Sequence, residues 1–234
     1  MNNILLIDDS TFMRSIIKAI VKKHGYTVIG EAENGRIGLE KYKDLRPDAV
    51  ILDVTMDEMN GLTALKHIIN FDPNAVVIIV SSLSGQKWLY EESISLGAKA
   101  VLSKPIDPEK LYEILKQVVS GHNSEKTLLF VENKQGSHSV ARLFEIDPKL
   151  LEVFLRDAKK AIITLQETIT NGDINHFTIH AHAIKSALAN IGENEKADLA
   201  FALEEAGRKA DLSYIQANLE RFIKDLETLV AKLS

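Results

Sequence analysis

Five short apolar runs recur through the first half of this chain, each followed by an amphipathic stretch. The runs are Ile4 to Ile7, Thr27 to Gly30, Ala49 to Leu52, Ala75 to Val80 and Ala100 to Leu102. Several are continuous rather than alternating, the pattern of strands buried on both faces of a parallel sheet. Between them lie helical stretches at 11–24, 35–45, 61–71, 86–96 and 108–120. The last opens with Asp107-Pro108, a capping residue followed by proline at the first helical position. Five such units predict an α/β doubly wound, five-stranded parallel sheet with right-handed crossovers.

This rhythm stops near residue 120. The polar, aperiodic segment from Gly121 to Lys126 reads as the start of a linker over 121–145. Within it, Thr127–Val131 and Val140–Ile146 are β-prone and flank a turn-rich stretch, so a small hairpin competes with a loop running into the next helix. Residues 146–234 carry only helical periodicity. Asp147-Pro148 opens the first helix, Asn171-Gly172-Asp173 ends it and caps the second, and Gly192–Asn194 makes another break. Gly207–Asp211 makes a third, with Ser213 and Gln216 spaced as a capping box. Four amphipathic helices with short connections predict an all-α up-and-down four-helix bundle.

Composition narrows the function classes. The formal charge of -5 argues against a nucleic-acid partner, which calls for a basic face. Without cysteine, disulfides and thiolate metal sites are excluded. No leader pattern and no membrane-length apolar stretch is visible, so a soluble cytoplasmic protein without a membrane partner is expected.

Ligands of open α/β sheets collect at the carboxyl ends of strands. Asp8 and Asp9 follow the first apolar run, Asp53 the third, Ser81 the fourth and Lys104 the fifth. Three carboxylates in one crevice repel unless a cation holds them, and hard oxygen ligands suit Mg2+. A carboxylate attacking a phosphoryl group needs that metal, and positive or hydrogen-bonding groups for the equatorial oxygens. Lys104 and Ser81 are suited to those parts.

Asp8-Asp9, Asp53-Val54-Thr55-Met56, Asn60-Gly61, Ser81 and Lys104-Pro105 together resemble the receiver domain of response regulators, over residues 1–120. The resemblance implies that Asp53 is the phosphoacceptor, with Asp9 and Asp53 as direct Mg2+ ligands and Asp8 acting through water. It further implies a flavodoxin-like strand order, the Thr55 carbonyl as a ligand and a cis Lys104-Pro105 bond. Two positions depart from the family pattern. Asp57 replaces the usual proline four residues after the acceptor, and is expected to be solvated. Val101 replaces the switching aromatic three residues before the lysine.

In the second half, Ile174, Phe177, Ala181, Ile184, Leu188 and Ile191 form one seam. At about 100° per residue, His182 lies roughly 130° from the seam centre and is expected to face solvent, with Lys185 and Ser186 as surface neighbours. His180, about 70° from the centre, is expected to be partly buried, and His176 to sit at the surface or the cap. Residues two apart diverge on a helix, which argues against His180 and His182 sharing a metal. The segment from Ala181 through Ala187 to Gly192 is similar to the signature of histidine-containing phosphotransfer domains. The likeness runs from Asp147 to Ser234 and includes Leu203-Glu204 before Gly207-Arg208. It implies His182 as phosphocarrier and Lys185 as its positive neighbour; Ser186 stands where glycine is usual.

The expected function is that of a phosphorelay protein rather than an enzyme, with weak self-dephosphorylation at Asp53. A sensor histidine kinase or other phosphohistidine donor would load Asp53. His182 would exchange phosphate with a receiver, either its own or a separate one. A phosphate sink, or an interaction module in which His182 is silent, is the alternative. A haloacid-type phosphatase needs a second aspartate two residues after the nucleophile, where this chain has Thr55 or Ser10.

Overall fold

The computed structural model describes residues 2–56, 58–82, 87–119, 129–131 and 147–234. The chain forms two compact units, Met1–Gly136 and Ser137–Ser234. In the first, β1 (Asn3–Ile7), β2 (Thr27–Ala32), β3 (Ala49–Asp53), β4 (Val77–Ser81) and β5 (Ala100–Ser103) alternate with α1 (Thr11–Lys23), α2 (Gly35–Leu45), α3 (Gly61–Phe71), α4 (Lys87–Ser95) and α5 (Pro108–Val119). All pairings are parallel, in the order β2-β1-β3-β4-β5.

One strand exceeds the expected five. β6 (Leu129–Val131) falls within the segment read as a linker and pairs in parallel with β5, Val101 standing opposite Phe130. The second β-prone stretch, 140–146, which the sequence leaves open between hairpin strand and loop, lies outside the described residues, as does Asp57.

Local signals account for the helix starts. Ser10, Asn34 and Asn60 cap α1, α2 and α3, each side chain accepting from a backbone N–H three residues on. Asp107 accepts from Glu109 and Lys110 at the start of α5. Leu5, Ile7, Val50, Leu52, Val77 and Ile79 pack on Ala64, Leu65 and Ile68 of α3 and Leu89 of α4. Their strand neighbours Ile4, Leu6, Ile51, Ile78 and Val80 are equally buried on the opposite face of the pleat. Burial of each such side chain contributes about 1.5–3 kcal/mol. With both faces dry, the strands show no alternation.

The second unit is the expected bundle: α6 (Lys149–Thr170), α7 (Ile174–Asn190), α8 (Asn194–Arg208) and α9 (Leu212–Leu233). Each helix contacts the next, and α9 returns to α6, which closes the ring. Phe154, Phe177, Ala181, Leu188, Leu203, Phe222 and Leu226 fill the centre. Asp173 caps α7 as expected. α9, however, is capped by Asp211, whose side chain accepts from Tyr214 N at 3.0 Å, not by Ser213. The chain turns through Ala210 at φ 52°, so the helix starts two residues earlier, where Asp211, as good a cap as serine, meets the first turn. No helix among the described residues is long and apolar enough to cross a membrane.

Candidate functional site

The strand order reverses between β1 and β3, and the crevice of the sheet opens at their carboxyl ends. Ile7 stands opposite Leu52, so Asp8 and Asp53 leave the sheet level with each other. The carboxylate oxygens of Asp8, Asp9 and Asp53 come within 4.8 Å of one another. Lys104 Nζ is 2.9 Å from both Asp8 Oδ2 and Asp53 Oδ2. It is hydrogen-bonded to Asp8, while the Asp53 contact is an ion pair without hydrogen-bond alignment. Asp53 Oδ1 accepts from Val54 N at 2.7 Å, and Oδ2 is buried without a hydrogen-bond partner. Ser81 ends β4, fully buried, and its carbonyl accepts from Lys104 N at 3.0 Å. Thr55 lies two residues beyond Asp53, half-buried. The Lys104-Pro105 bond is cis, and Val101 is buried within β5.

Gly61 fixes the approach of α3 to this pocket. Its N–H donates to Val54 O at 2.9 Å, and a Cβ there would stand 2.0 Å from Asp53 O. Only a residue without a side chain lets α3 start against the backbone that carries Asp53.

His182 contradicts the sequence reading. It is 2% exposed, not solvent-facing, and its expected surface neighbours Lys185 and Ser186 are 8% and 2% exposed. Angular position around a helix sets exposure only when the helix is covered on its apolar seam alone. Instead α6 covers one flank and α8 another, and every residue from Ile184 to Leu188 is buried. α8 comes close because Gly207 faces Thr178, where a Cβ would stand 2.2 Å from Thr178 Oγ1. One turn earlier on α8, Glu204 meets the histidine. His176 and His180 lie where expected, the first exposed at the Asp173 cap and the second half-buried.

Glu204 Oε1 lies 2.9 Å from His182 Nδ1, and Oε2 lies 2.6 Å from Lys185 Nζ. Arg208 Nη2 reaches Oε1 at 2.7 Å. Lys185 Nζ is also 3.2 Å from His182 Nδ1, and a neutral ring nitrogen cannot both accept from Lys185 and donate to Glu204. The carboxylate is a pure acceptor and lies nearer, so Nδ1 carries the proton. Nε2 therefore holds the lone pair; it is buried and has no hydrogen-bond partner.

The pattern of the response regulator receiver domain matches residues 4–116, and that of the Hpt domain matches residues 149–233. The chemotaxis protein CheY of Thermotoga maritima is 48% identical over 115 residues, covering 49% of this chain and 95% of that protein. The chain belongs to the response regulator family. CheY of Bacillus subtilis is 41% identical over 119 residues, covering 51% of this chain and 98% of its own. CheY of Treponema pallidum is 42% identical over 118 residues, covering 50% and 81%. With an Hpt domain on the same chain, this response regulator is a two-component phosphorelay protein.

Charge is held differently in the two domains of this response regulator. In the receiver domain, burial raises the Asp8 carboxyl above the usual range; Lys104 opposes this and the Asp53 charge adds to it. Burial of Lys104 would lower its pKa, but the Asp53 and Asp8 charges outweigh that and raise it, so it stays an ammonium. In the Hpt domain, burial pushes Glu204 upward. The hydrogen bonds from His182 and Lys185, with the Lys185 charge, override this and hold it far below the usual carboxylate range.

Three side chains that sequence reasoning did not assign shape these sites: Glu204, Arg208 and Arg14. Glu204 and Arg208 were visible only as part of the likeness to phosphotransfer domains. Arg14 gave no signal beyond its place in the first turns after Asp8-Asp9.

The acidic pocket suits a divalent cation. It gathers three hard carboxylates around one ammonium, and the buried Asp53 Oδ2, though ion-paired to Lys104, makes no aligned hydrogen bond. Asp8, Asp9 and Asp53 would hold Mg2+, which when bound neutralises charge on a transferring phosphoryl group.

Proposed function

We propose that Asp53 is the phosphoacceptor of the receiver domain and His182 the phosphocarrier of the Hpt domain. The observation that carries the first assignment is the setting of Asp53. Its carboxylate is buried at the end of β3, ion-paired to Lys104 and gathered with Asp8 and Asp9.

In loading, an Asp53 carboxylate oxygen forms the new O–P bond while the N–P bond of a donor phosphohistidine breaks. The departing electron pair returns to the donor imidazole. Lys104 and the Ser81 hydroxyl accompany the phosphoryl oxygens, and the Thr55 carbonyl joins the cation ligands. The donor is a sensor histidine kinase or another phosphohistidine carrier. Slow hydrolysis of the acyl phosphate resets Asp53.

At His182, the Nε2 lone pair forms the N–P bond as the acyl P–O bond of a receiver aspartate breaks, and the reverse step delivers phosphate. The receiver is the attached one or a separate one. Glu204 keeps the proton on Nδ1 and offsets charge on the ring, and Lys185 is close enough to pair with phosphoryl oxygens.

Burial of His182 favours a second reading, in which Asp53 phosphorylation controls an interaction and His182 is silent. A transfer assay with a radiolabelled phosphohistidine donor and a receiver partner separates the two. Base-labile label should vanish in Asp53→Asn, and acid-labile label in His182→Gln. Transfer left intact by His182→Gln would eliminate the relay reading and favour the silent one.

A further inference from the structure

Asp8 and Asp9 lie in the turn between β1 and α1, and a cation pocket built on a turn needs that turn held still. Local contacts hold part of it: Asp8 N donates to Ala32 O at 3.1 Å, and Ser10 N donates to Asp8 Oδ1 at 2.9 Å. The carbonyls of Asp8 and Asp9 are held from one side by Arg14. Its Nη1 reaches Asp8 O at 2.5 Å and Asp9 O at 3.3 Å, and its Nη2 reaches Thr11 Oγ1 at 3.3 Å.

The guanidinium is itself anchored. Arg14 Nε forms an ion pair with Glu31 Oε2 at 3.4 Å, and only 13% of its side chain is exposed. Glu31, on β2, is bound by Lys18 Nζ at 2.6 Å, and its backbone carbonyl accepts from Lys41 Nζ. Burial raises the Glu31 pKa, but the bond from Lys18 and the two cations lower it further, so it stays charged. The Asp8-Asp9 turn is thus braced to the outer strand through one side chain.

We propose that Arg14 is a positioning residue for the acidic pocket: by clamping the Asp8 and Asp9 carbonyls against Glu31 of β2, it sets how tightly the three carboxylates bind a divalent cation. A planar fork can meet two carbonyls, a hydroxyl and a carboxylate at once, whereas an ammonium cannot. Electrostatics alone gives the opposite expectation, because removing a positive charge near the pocket should tighten cation binding. The sign of the effect therefore separates bracing from charge. This proposal rests on the assignment of Mg2+ to the pocket.

Titration calorimetry of the full chain with Mg2+ alone tests it. Outer partners of metal ligands typically matter 10- to 100-fold, so Arg14→Ala should raise the Mg2+ dissociation constant by about 10-fold. Glu31→Gln should weaken binding several-fold, and Arg14→Lys should recover only part of the loss. Arg14 and Glu31 border a cavity of about 260 Å³ that water can enter, so truncation should leave the core and the thermal midpoint little changed. At saturating Mg2+, Asp53 labelling of Arg14→Ala should return to the unaltered level. Unchanged or tighter binding by Arg14→Ala overturns the proposal, as does full recovery with lysine. If the unaltered chain binds no Mg2+, the metal assignment falls and the proposal falls with it; normal binding unaffected by Arg14→Ala defeats the proposal alone.

Discussion

Nδ1 of His182 lies 2.9 Å from Oε1 of Glu204, a residue 22 positions later on a different helix. The contact places a full carboxylate against the ring nitrogen opposite the one with the free lone pair, and Lys185 and Arg208 hold the other faces of that carboxylate. A histidine fixed in this way has its nucleophilic nitrogen chosen by its surroundings.

Phosphotransfer should therefore depend on Glu204 through orientation rather than contact with phosphate. Glu204→Ala is expected to slow acid-labile labelling of His182 by about 10- to 100-fold, the range seen when an outer partner that fixes a histidine's tautomer and ring orientation is removed. Glu204→Gln, whose amide oxygen can still accept from Nδ1, should lose less. Single-turnover labelling by a phosphorylated receiver measures both; equal rates in Glu204→Ala and the unaltered chain would remove Glu204 from the mechanism.

The same carboxylate predicts an acid-sensitive bundle. Its folded pKa lies below the ordinary value of 4.5, so the stabilisation is complete above that value and is lost as pH falls through the folded one. The stability difference between the unaltered chain and Glu204→Gln should be widest near neutrality and shrink below pH about 4.5. Denaturant unfolding followed by helical circular dichroism at several pH values checks this. A difference constant from neutral to acid pH would contradict it.

The acidic pocket predicts the reverse dependence. Burial, and then the Asp53 charge, raise the Asp8 pKa above 3.8, so its contribution is complete below that value and is lost as pH rises through the folded one. Without Mg2+, Asp8→Asn should raise the thermal midpoint of the receiver at neutral pH, by about 3 °C for each kcal/mol of repulsion relieved. Adding Mg2+ should stabilise the unaltered chain more than the variant. Scanning calorimetry with and without Mg2+ tests both; a lower midpoint for Asp8→Asn in metal-free buffer would refute the account.

Close helix approach at Gly207 should be as sensitive as any core position. Gly207→Ala sets a Cβ against Thr178 Oγ1, and is expected to destabilise the bundle by about 1–3 kcal/mol as α8 moves off α7. Thr178→Ala removes the hydroxyl and should return part of that loss, a coupling readable in a double-mutant cycle. Strict additivity of the two changes would show that the approach is not made there.

The α/β half was legible because its rules are local. Continuous apolar runs specify buried strands, and Ser10, Asn34 and Asn60 mark helix starts. A parallel sheet then carries strand ends to one edge, so Asp8, Asp9, Asp53, Ser81 and Lys104 converge without further information. The bundle was legible as helices and as a seam through Phe177, Ala181 and Leu188, all of them buried.

What the sequence determined alone is therefore every element whose cause lies within a few residues, together with the convergence that sheet topology enforces. Tertiary structure decided the rest. The burial of His182, the grip of Glu204 on it, the brace from Arg14 to Glu31 and the addition of β6 beside β5 depend on which surfaces meet. Helical periodicity gives a direction around one axis but not the distance to a neighbouring axis. At Gly207 that distance is short, and it turns an expected surface histidine into a buried, oriented one.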